Sequence, residues 1–219
     1  MINIAIDGPA GAGKSTIAKE LSKRLQITYL DTGAMYRAVA LKSILLGIDV
    51  TDEEKVIGFL PQMDLDIQYI DGVQHIYLDG RDVSVEIREH RMSKAASDIS
   101  RIPAVRLKLV EMQRALAAKY DCVLDGRDIT SYVLPNAKYK FFITASPEIR
   151  AKRRLLELEA KGEKVDFSVL LEDIKLRDYN DSHRSFAPLT RTEDSVYIDT
   201  SDLSVQEVIN RILGYIKEK

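Results

Sequence analysis

Gly8-Pro9-Ala10-Gly11-Ala12-Gly13-Lys14-Ser15-Thr16 is the stretch whose reading decides the fold. It fits the pattern G-x-x-x-x-G-K-[ST], with the first glycine at 8 and the hydroxyl at Ser15. Ahead of it, Ile2-Asn3-Ile4-Ala5-Ile6 alternates and runs to Asp7, as a buried first strand does. Behind it, Ile17, Ala18, Leu21 and Leu25 recur at helical spacing. An isolated Gly-rich turn is the alternative, but a turn alone does not require a strand on one side and a helix on the other.

A phosphate chain held at a helix N-terminus lies against bare backbone N–H groups, and a Cβ at the glycine positions would hold it away. Lys14 follows at the place from which an ammonium reaches the outer phosphates. Ser15, in the first helical turn, offers a hydroxyl to Mg²⁺, and Thr16 offers one to an inner phosphate.

The 219 residues suit one core carrying inserted subdomains. Hydrophobic residues make up 45%, enough for such a core, while 32 basic and 34 acidic side chains leave a net charge of -2. That balance argues against nucleic acid or an anionic membrane as the main partner. The single cysteine, Cys122, sits in an apolar run and reads as a buried structural thiol in a reducing, cytoplasmic setting. The first strand begins at the N-terminus, and no apolar run approaches the roughly 18 residues of a spanning helix. The expectation is a soluble, untargeted monomer.

Beyond the glycine-rich loop, Ile27 to Leu30 reads as a short strand leading to Asp31 and Thr32 at its C-terminal end, where open α/β sheets bind ligands. Arg37 follows on a helix with an apolar face of Ala38, Leu41, Ile44 and Leu45. Residues 49–84 break the alternation of strand and helix. Leu65–Ile70 and Val73–Leu78 flank Asp71-Gly72, which predicts a small hairpin insertion forming an appended, mobile subdomain. From Val85 to Tyr120 the pattern is helical, with Pro103 at the first turn of a second helix. Among the arginines here, Arg91, Arg101 and Arg114 read as a solvated face, whereas Arg106 lies close to that helix start.

Cys122-Val123-Leu124 predicts a strand running into Asp125-Gly126-Arg127-Asp128. Two carboxylates and a guanidinium crowded at a strand end are costly unless they meet a ligand, a metal or one another. Lys140 to Ile143 is a further strand, and Ser146-Pro147 a capped helix start. That helix carries Arg150, Lys152, Arg153 and Arg154 and ends near Lys161-Gly162. A second helix, from Phe167 to Asp181, leads to Arg184. Arg177, Asp181 and Arg184 stand at i, i+4 and i+7 and so are expected on one face. These groups could be surface ion pairs, but an Arg-rich helical hairpin beside a phosphate-binding core is suited to a closing lid. Ser195 to Ile198 and Val205 to Ile216 supply the last strand and helix, which makes five core strands.

In order and spacing, the runs Ile6 to Thr16, Leu30 to Arg37, Asp125 to Ile129, and Arg177-Asp178 through Asp181, Arg184 and Pro188-Leu189 resemble the bacterial cytidylate kinases over essentially the whole chain. The resemblance implies an α/β P-loop NTPase fold with three layers and a five-stranded parallel sheet. It implies a core of residues 1–34, 121–146 and 190–219, an inserted monophosphate-binding subdomain at 35–120 that contains the hairpin, and a helical lid at 147–189. It also implies transfer of the ATP γ-phosphoryl group to CMP or dCMP with Mg²⁺. ATP would be held by Gly8, Pro9, Ala10, Gly11, Ala12, Gly13, Lys14, Ser15 and Thr16, with Arg150 and Arg154 reaching its phosphates from the lid. Thr32, Arg37, Ser97, Arg106, Arg127, Asp128, Arg177, Asp181 and Arg184 would bind CMP, with Lys14, Arg127 and Arg177 catalytic and Ser15 on the metal together with phosphates and water. Arg37 and Arg127 look like ligands of the acceptor phosphate. Ser97, Arg106, Asp128 and Arg184 look like the cytosine side, and Arg177 and Asp181 like the pair that meets the sugar. Two positions depart from the family. Thr130-Ser131 stands where Gly-Thr usually follows Asp-Gly-Arg-Asp-Ile, and Tyr179-Asn180 stands where some relatives have a basic residue at the second position.

Other acceptors, namely UMP, AMP or shikimate, remain open to a P-loop kinase, although the long hairpin insertion argues against the compact shikimate kinases. A nucleotide-gated binding switch without transferase activity is a different class. The Asn-Lys-x-Asp guanine-reading stretch typical of such GTPases does not occur in this sequence.

Overall fold

Short apolar runs buried on both faces make parallel strands, and amphipathic runs between them make the covering helices. A computed structural model, describing residues 1–160 and 162–217, follows this rule through most of the chain. The elements are β1 (Asn3–Asp7), α1 (Lys14–Leu25), β2 (Thr28–Asp31), α2 (Thr32–Leu45), α3 (Glu53–Phe59), β3 (Leu65–Ile70), β4 (Val73–Leu78), β5 (Arg81–Asp82), α4 (Arg91–Ile99), α5 (Pro103–Ala117), β6 (Cys122–Gly126), β7 (Tyr139–Thr144), α6 (Pro147–Glu159), α7 (Phe167–His183), β8 (Val196–Asp199) and α8 (Val205–Lys217). The chain divides into two compact units, one of residues 28–120 with Met1 and one of residues 2–27 and 121–219.

The larger sheet has the expected five strands, β2 falling in the first unit. The four in the second unit run in the order β6-β1-β7-β8, each pair parallel. Ile4, Ala5 and Ile6 of β1, Val123 and Leu124 of β6, and Phe141 and Ile143 of β7 are fully buried. Flanking helices complete the P-loop NTPase architecture. α1 starts at Lys14 directly after Gly13, whose φ of 87° is left-handed. It ends on Gln26, also left-handed at φ 55°, with the Gln26 N–H donated to the Ser22 carbonyl. α6 starts as anticipated, with Ser146 Oγ accepting the Ile149 N–H at 3.3 Å and Pro147 at the first position. Lys161, at the anticipated end of that helix, lies outside the described residues.

In the first unit α2 is apolar nearly all round, burying Ala34, Met35, Tyr36, Ala38, Val39, Ala40 and Leu41, and it packs against α4, α5 and β4. The hairpin has the anticipated register, Ile70 opposite Val73 across Asp71-Gly72, both left-handed at φ 51° and 75°. A third strand was not anticipated. Asp79-Gly80 repeats the same turn, with φ 51° and 79°, and brings β5 alongside β4. Two side-chain contacts join this sheet to the rest of its unit. Gln74 accepts the Asp31 N–H at 2.7 Å, and Lys42 of α2 pairs with Asp79 at 2.6 Å.

Candidate active site

In the second unit, the glycine-rich loop leaves β1 through Gly8, where φ is 145° and a Cβ would sit 1.8 Å from the Ile143 carbonyl oxygen of β7. No side chain fits there. Three carbonyls of the loop accept side-chain donors. Lys14 Nζ donates to Pro9 O at 2.7 Å, Arg150 Nη1 to Ala10 O at 3.1 Å, and Thr200 Oγ1 to Ala12 O at 3.2 Å. The loop is therefore braced by α1, α6 and the end of β8.

Lys14 is 5% exposed. Burial, then the charges of Arg127 and Arg177, hold its ammonium well below the usual lysine range. A cation this crowded by other cations is poised to take an anion. Arg127 Nε donates to Asp181 Oδ2 at 2.8 Å, and although burial works against the charge of Arg127, Asp181 raises its pKa. Asp181 is buried too, yet Arg127, Arg177 and Arg184 keep its carboxyl below the ordinary range. Arg177 and Asp181 belong to α7, four residues apart as anticipated.

Arg184 corrects the anticipated helical face. α7 stops at His183, and Arg184 is its C-cap in an extended conformation, φ -66° and ψ 145°. Its Nε donates to Ala187 O at 2.7 Å, and Nη2 stands 3.8 Å from Asp128 Oδ1. Pro188 cannot supply the N–H that a continued helix needs, and the Leu189 N–H turns back to the Asp181 carbonyl at 2.8 Å.

Arg150 and Arg154 separate. The Arg150 side chain is 3% exposed and donates to four protein acceptors: Ala145 O at 2.8 Å, Ala10 O at 3.1 Å, and the Asp178 carboxylate at 3.0 and 2.5 Å. Arg154 is half-buried and pairs with Glu157 at 3.0 Å, one turn along α6.

In the first unit, Asp31 caps α2 by accepting the Ala34 N–H at 2.9 Å, and it gathers Arg37 at 3.0 Å and Arg88 at 2.7 Å. Burial opposes its charge, but the two guanidinium groups hold its carboxyl below the ordinary range. Thr32 is the buried first residue of α2. Ser97 on α4 is half-buried. Arg106 is 1% exposed, lies over the Tyr36 ring at 5.4 Å and donates to Ser100 O at 3.2 Å. Arg91, Arg101 and Arg114 are exposed, as anticipated.

Two carboxylates that sequence reasoning left without a role stand out. Asp125 Oδ2 accepts the Ser15 hydroxyl at 2.8 Å. The signal was a carboxylate closing the apolar strand Cys122-Val123-Leu124. Hydroxyl and carboxylate oxygens are hard donors, and few of them suit Mg²⁺, which keeps waters and takes substrate phosphates as ligands. The described residues contain no cluster of three or more His, Cys, Asp or Glu able to hold a metal. The second is Asp7, fully buried at the end of β1.

Against this geometry, the sequence pattern of the cytidylate kinase family matches residues 4–218. The chain belongs to the cytidylate kinase family. It is 51% identical over 212 residues to the cytidylate kinase of Caldicellulosiruptor bescii, covering 97% of this chain and 94% of that one. With the cytidylate kinase of Alkaliphilus oremlandii the identity is 48%, over 99% and 98%. Among solved structures, an uncharacterized protein from Eubacterium ventriosum superposes with a TM-score of 0.51 at 17% identity, over the full length of both chains, a likeness of fold alone. Family membership thus joins a braced phosphate loop to a surrounding cluster of cations, and no described helix is long and apolar enough to cross a membrane.

Proposed function

We infer that this chain transfers the γ-phosphoryl group of ATP to CMP or dCMP, giving CDP or dCDP and ADP. The observation that carries the reading is the convergence of Lys14, Arg127 and Arg177 beside the glycine-rich loop, felt as a lowered proton affinity of Lys14. Phosphoryl transfer asks a protein chiefly to position two anions and to neutralise charge that builds between them. Fixed guanidinium groups do this while always charged, and their planar forks can bridge oxygens of donor and acceptor. The acceptor is already a phosphate oxygen, so no general base is assigned.

In this reading Gly8 to Thr16 hold the ATP phosphates. Ser15, with Asp125 behind it, would hold Mg²⁺ beside phosphates and water, and the ion supplies charge neutralisation of the transferred group. Arg37 and Arg127 serve the acceptor phosphate, Arg177 and Asp181 the sugar, with Lys14, Arg127 and Arg177 acting in the transfer, and Thr32, Ser97, Arg106, Asp128 and Arg184 the remainder of the nucleotide. Arg154 reaches ATP only by exchanging Glu157 for phosphate, and Arg150 only by leaving Asp178. Asp128 accepts from the exocyclic amine of cytosine and repels the carbonyl that uracil has there, which sets CMP above UMP. Residues 35–120 act as the inserted acceptor part and 147–189 as a closing lid, in a cytoplasmic monomer.

The test is ADP release with ATP and Mg²⁺ against CMP, dCMP, UMP, AMP and shikimate at equal concentrations. CMP or dCMP should win by a wide margin, Lys14→Met should abolish turnover without loss of helical signal, and Asp128→Ala should narrow the CMP to UMP ratio. Turnover with another acceptor alone would refute the base assignment, and turnover by Lys14→Met the loop assignment.

A further inference from the structure

The Asp7 carboxylate has no task in the chemistry above, yet it is the most completely enclosed charge near it, with no exposed surface. It closes β1, opposite Gly126 of β6 on one side and Phe142 of β7 on the other, and Gly8 of the phosphate loop follows directly. Its two oxygens are spent on one neighbouring segment. Oδ1 accepts the Ile129 N–H at 2.8 Å, and Oδ2 accepts both the Thr130 N–H and the Thr130 hydroxyl, each at 2.7 Å. These are the two amides immediately after Asp128.

The backbone there is unusual. Ile129–Val133 forms a single π-helical turn, closed by Val133 N–H to Asp128 O at 2.9 Å and Leu134 N–H to Ile129 O at 2.8 Å. A π turn leaves its first amides without partners inside the turn, and Asp7 takes two of them. Asp128, at φ -143° and ψ 21°, is the residue on which the chain swings from strand into that turn. Its direction is therefore set by the peptide planes that Asp7 holds. Thr130, fully buried, is also where the chain departs from the Gly of the resembled pattern, and its hydroxyl supplies the third bond.

We propose that Asp7 and Thr130 form a positioning pair that aims the Asp128 carboxylate at the nucleotide base and keeps that aim in register with the start of the ATP loop. The proposal rests on the reading of Asp128 given above. Asp7 makes no contact with substrate in it. Burial favours the neutral acid and pushes the Asp7 pKa up to about 6, with the Thr130 bonds acting against burial and the charge of Asp128 acting with it. The hydroxyl of Thr130 therefore serves to keep Asp7 ionised and able to accept at both amides.

Thr130→Val keeps the shape and both amide bonds and removes only the hydroxyl, Thr130→Ser restores the hydroxyl, and Thr130→Ala serves as a second deletion should valine perturb folding. Each is compared with wild type and Asp128→Ala in steady-state assays with CMP and UMP at saturating ATP, with the KM for ATP measured separately. Losing one charge-assisted bond to a buried carboxylate should narrow the CMP to UMP ratio of kcat/KM by about tenfold. The KM for ATP should stay within about twofold, and Thr130→Ser should return the ratio to that of wild type. If Asp128→Ala narrows the ratio and the Thr130 deletions do not, the positioning role is refuted while the base reading stands. If the deletions raise both KM values in parallel, Asp7 is a brace of the fold and no more. If Asp128→Ala itself leaves the ratio unchanged, there is no reader to position and both fall.

Discussion

Replacing Asp178 with leucine while Arg150 stays would strand a buried cation. The Arg150 guanidinium donates through Nη1 and Nη2 to both carboxylate oxygens of Asp178, and what remains without them is the Ala145 carbonyl on Nε and the Ala10 carbonyl on Nη1. Breaking a buried pair by removing one partner costs about 3–5 kcal/mol. The Asp178 side chain is 27% exposed, so water can enter from its side and replace part of what is lost. That places the cost near about 2–3 kcal/mol, which for a chain of this size lowers the melting temperature by about 5–10 °C. The double variant Arg150→Met, Asp178→Leu removes the charge together with its partner. It should be more stable than Asp178→Leu alone by about 1–2 kcal/mol, because no uncompensated cation remains.

The same change has a functional reading, since Arg150 also touches the phosphate loop. Its Nη1 holds the Ala10 carbonyl, and its Cβ would lie 3.2 Å from a Cβ on Gly11, so α6 rests directly against the loop. Freed from Asp178, Arg150 no longer fixes that carbonyl in one place, and the KM for ATP should rise several-fold with a smaller change in kcat, whereas a fall in that KM would show Arg150 turning from Asp178 to the ATP phosphates instead. The chain has no tryptophan, so unfolding is followed by far-UV circular dichroism. A loss below about 0.5 kcal/mol for Asp178→Leu, or single-variant effects that add in the double variant, would refute the argument that this pair ties α7 through α6 to the loop.

Gly8→Ala should prevent folding or cost more than about 4 kcal/mol, because its Cβ would overlap the Ile143 carbonyl; Gly214→Ala in α8, with open space around it, should stabilise by about 0.5–1 kcal/mol in the same denaturation assay. Cys122 is buried, and its thiol is pushed up to about 12 by burial and by the charge of Asp121. It should stay unreactive to iodoacetamide at pH 8 in the native protein and react once the protein is unfolded, whereas fast native labelling would contradict its placement. Asp7, raised from 3.8 to about 6, binds its proton more tightly folded than unfolded, so its ionisation contributes a penalty that grows as pH rises from about 4 to 6 and is constant above. At about 1.4 kcal/mol per tenfold in proton affinity the full penalty is about 3 kcal/mol, felt among Asp128, Lys14 and Arg127, whose charges also act there. Stability of wild type relative to Asp7→Asn should fall over that window, and a flat difference would show that Asp7 ionises without cost.

Local chemistry was legible in the sequence, and direction across space was not. The glycines of the phosphate loop announce themselves because the backbone they permit excludes side chains, and at Gly8 the excluding atom is the Ile143 carbonyl. Asp71-Gly72 named its turn for the same reason. Asp79-Gly80 carried an identical signal, but β5 is two residues long and has no alternating run to mark it as a strand. Arg150 and Arg154 show where periodicity stops informing. Helical spacing puts both on one side of α6, yet Arg150 is enclosed and Arg154 half-exposed, because Gly11 lets the start of the helix lie against the loop.

Asp7 and Thr130 are 123 residues apart, and no spacing rule joins them. What joins them is the parallel pairing of β1 with β6, which sets Asp7 opposite Gly126 and so leaves the turn after Asp128 within reach of the Asp7 carboxylate. A carboxylate before the loop could be read as ordinary strand-end polarity until that register is known. Once it is known, the buried charge requires partners, and the next turn supplies them as the Ile129 and Thr130 amides and the Thr130 hydroxyl. On the proposed reading of Asp128, one strand pairing ties the phosphate loop to the base-side carboxylate, and a substitution at Thr130 should alter the choice of base while the KM for ATP stays within about twofold.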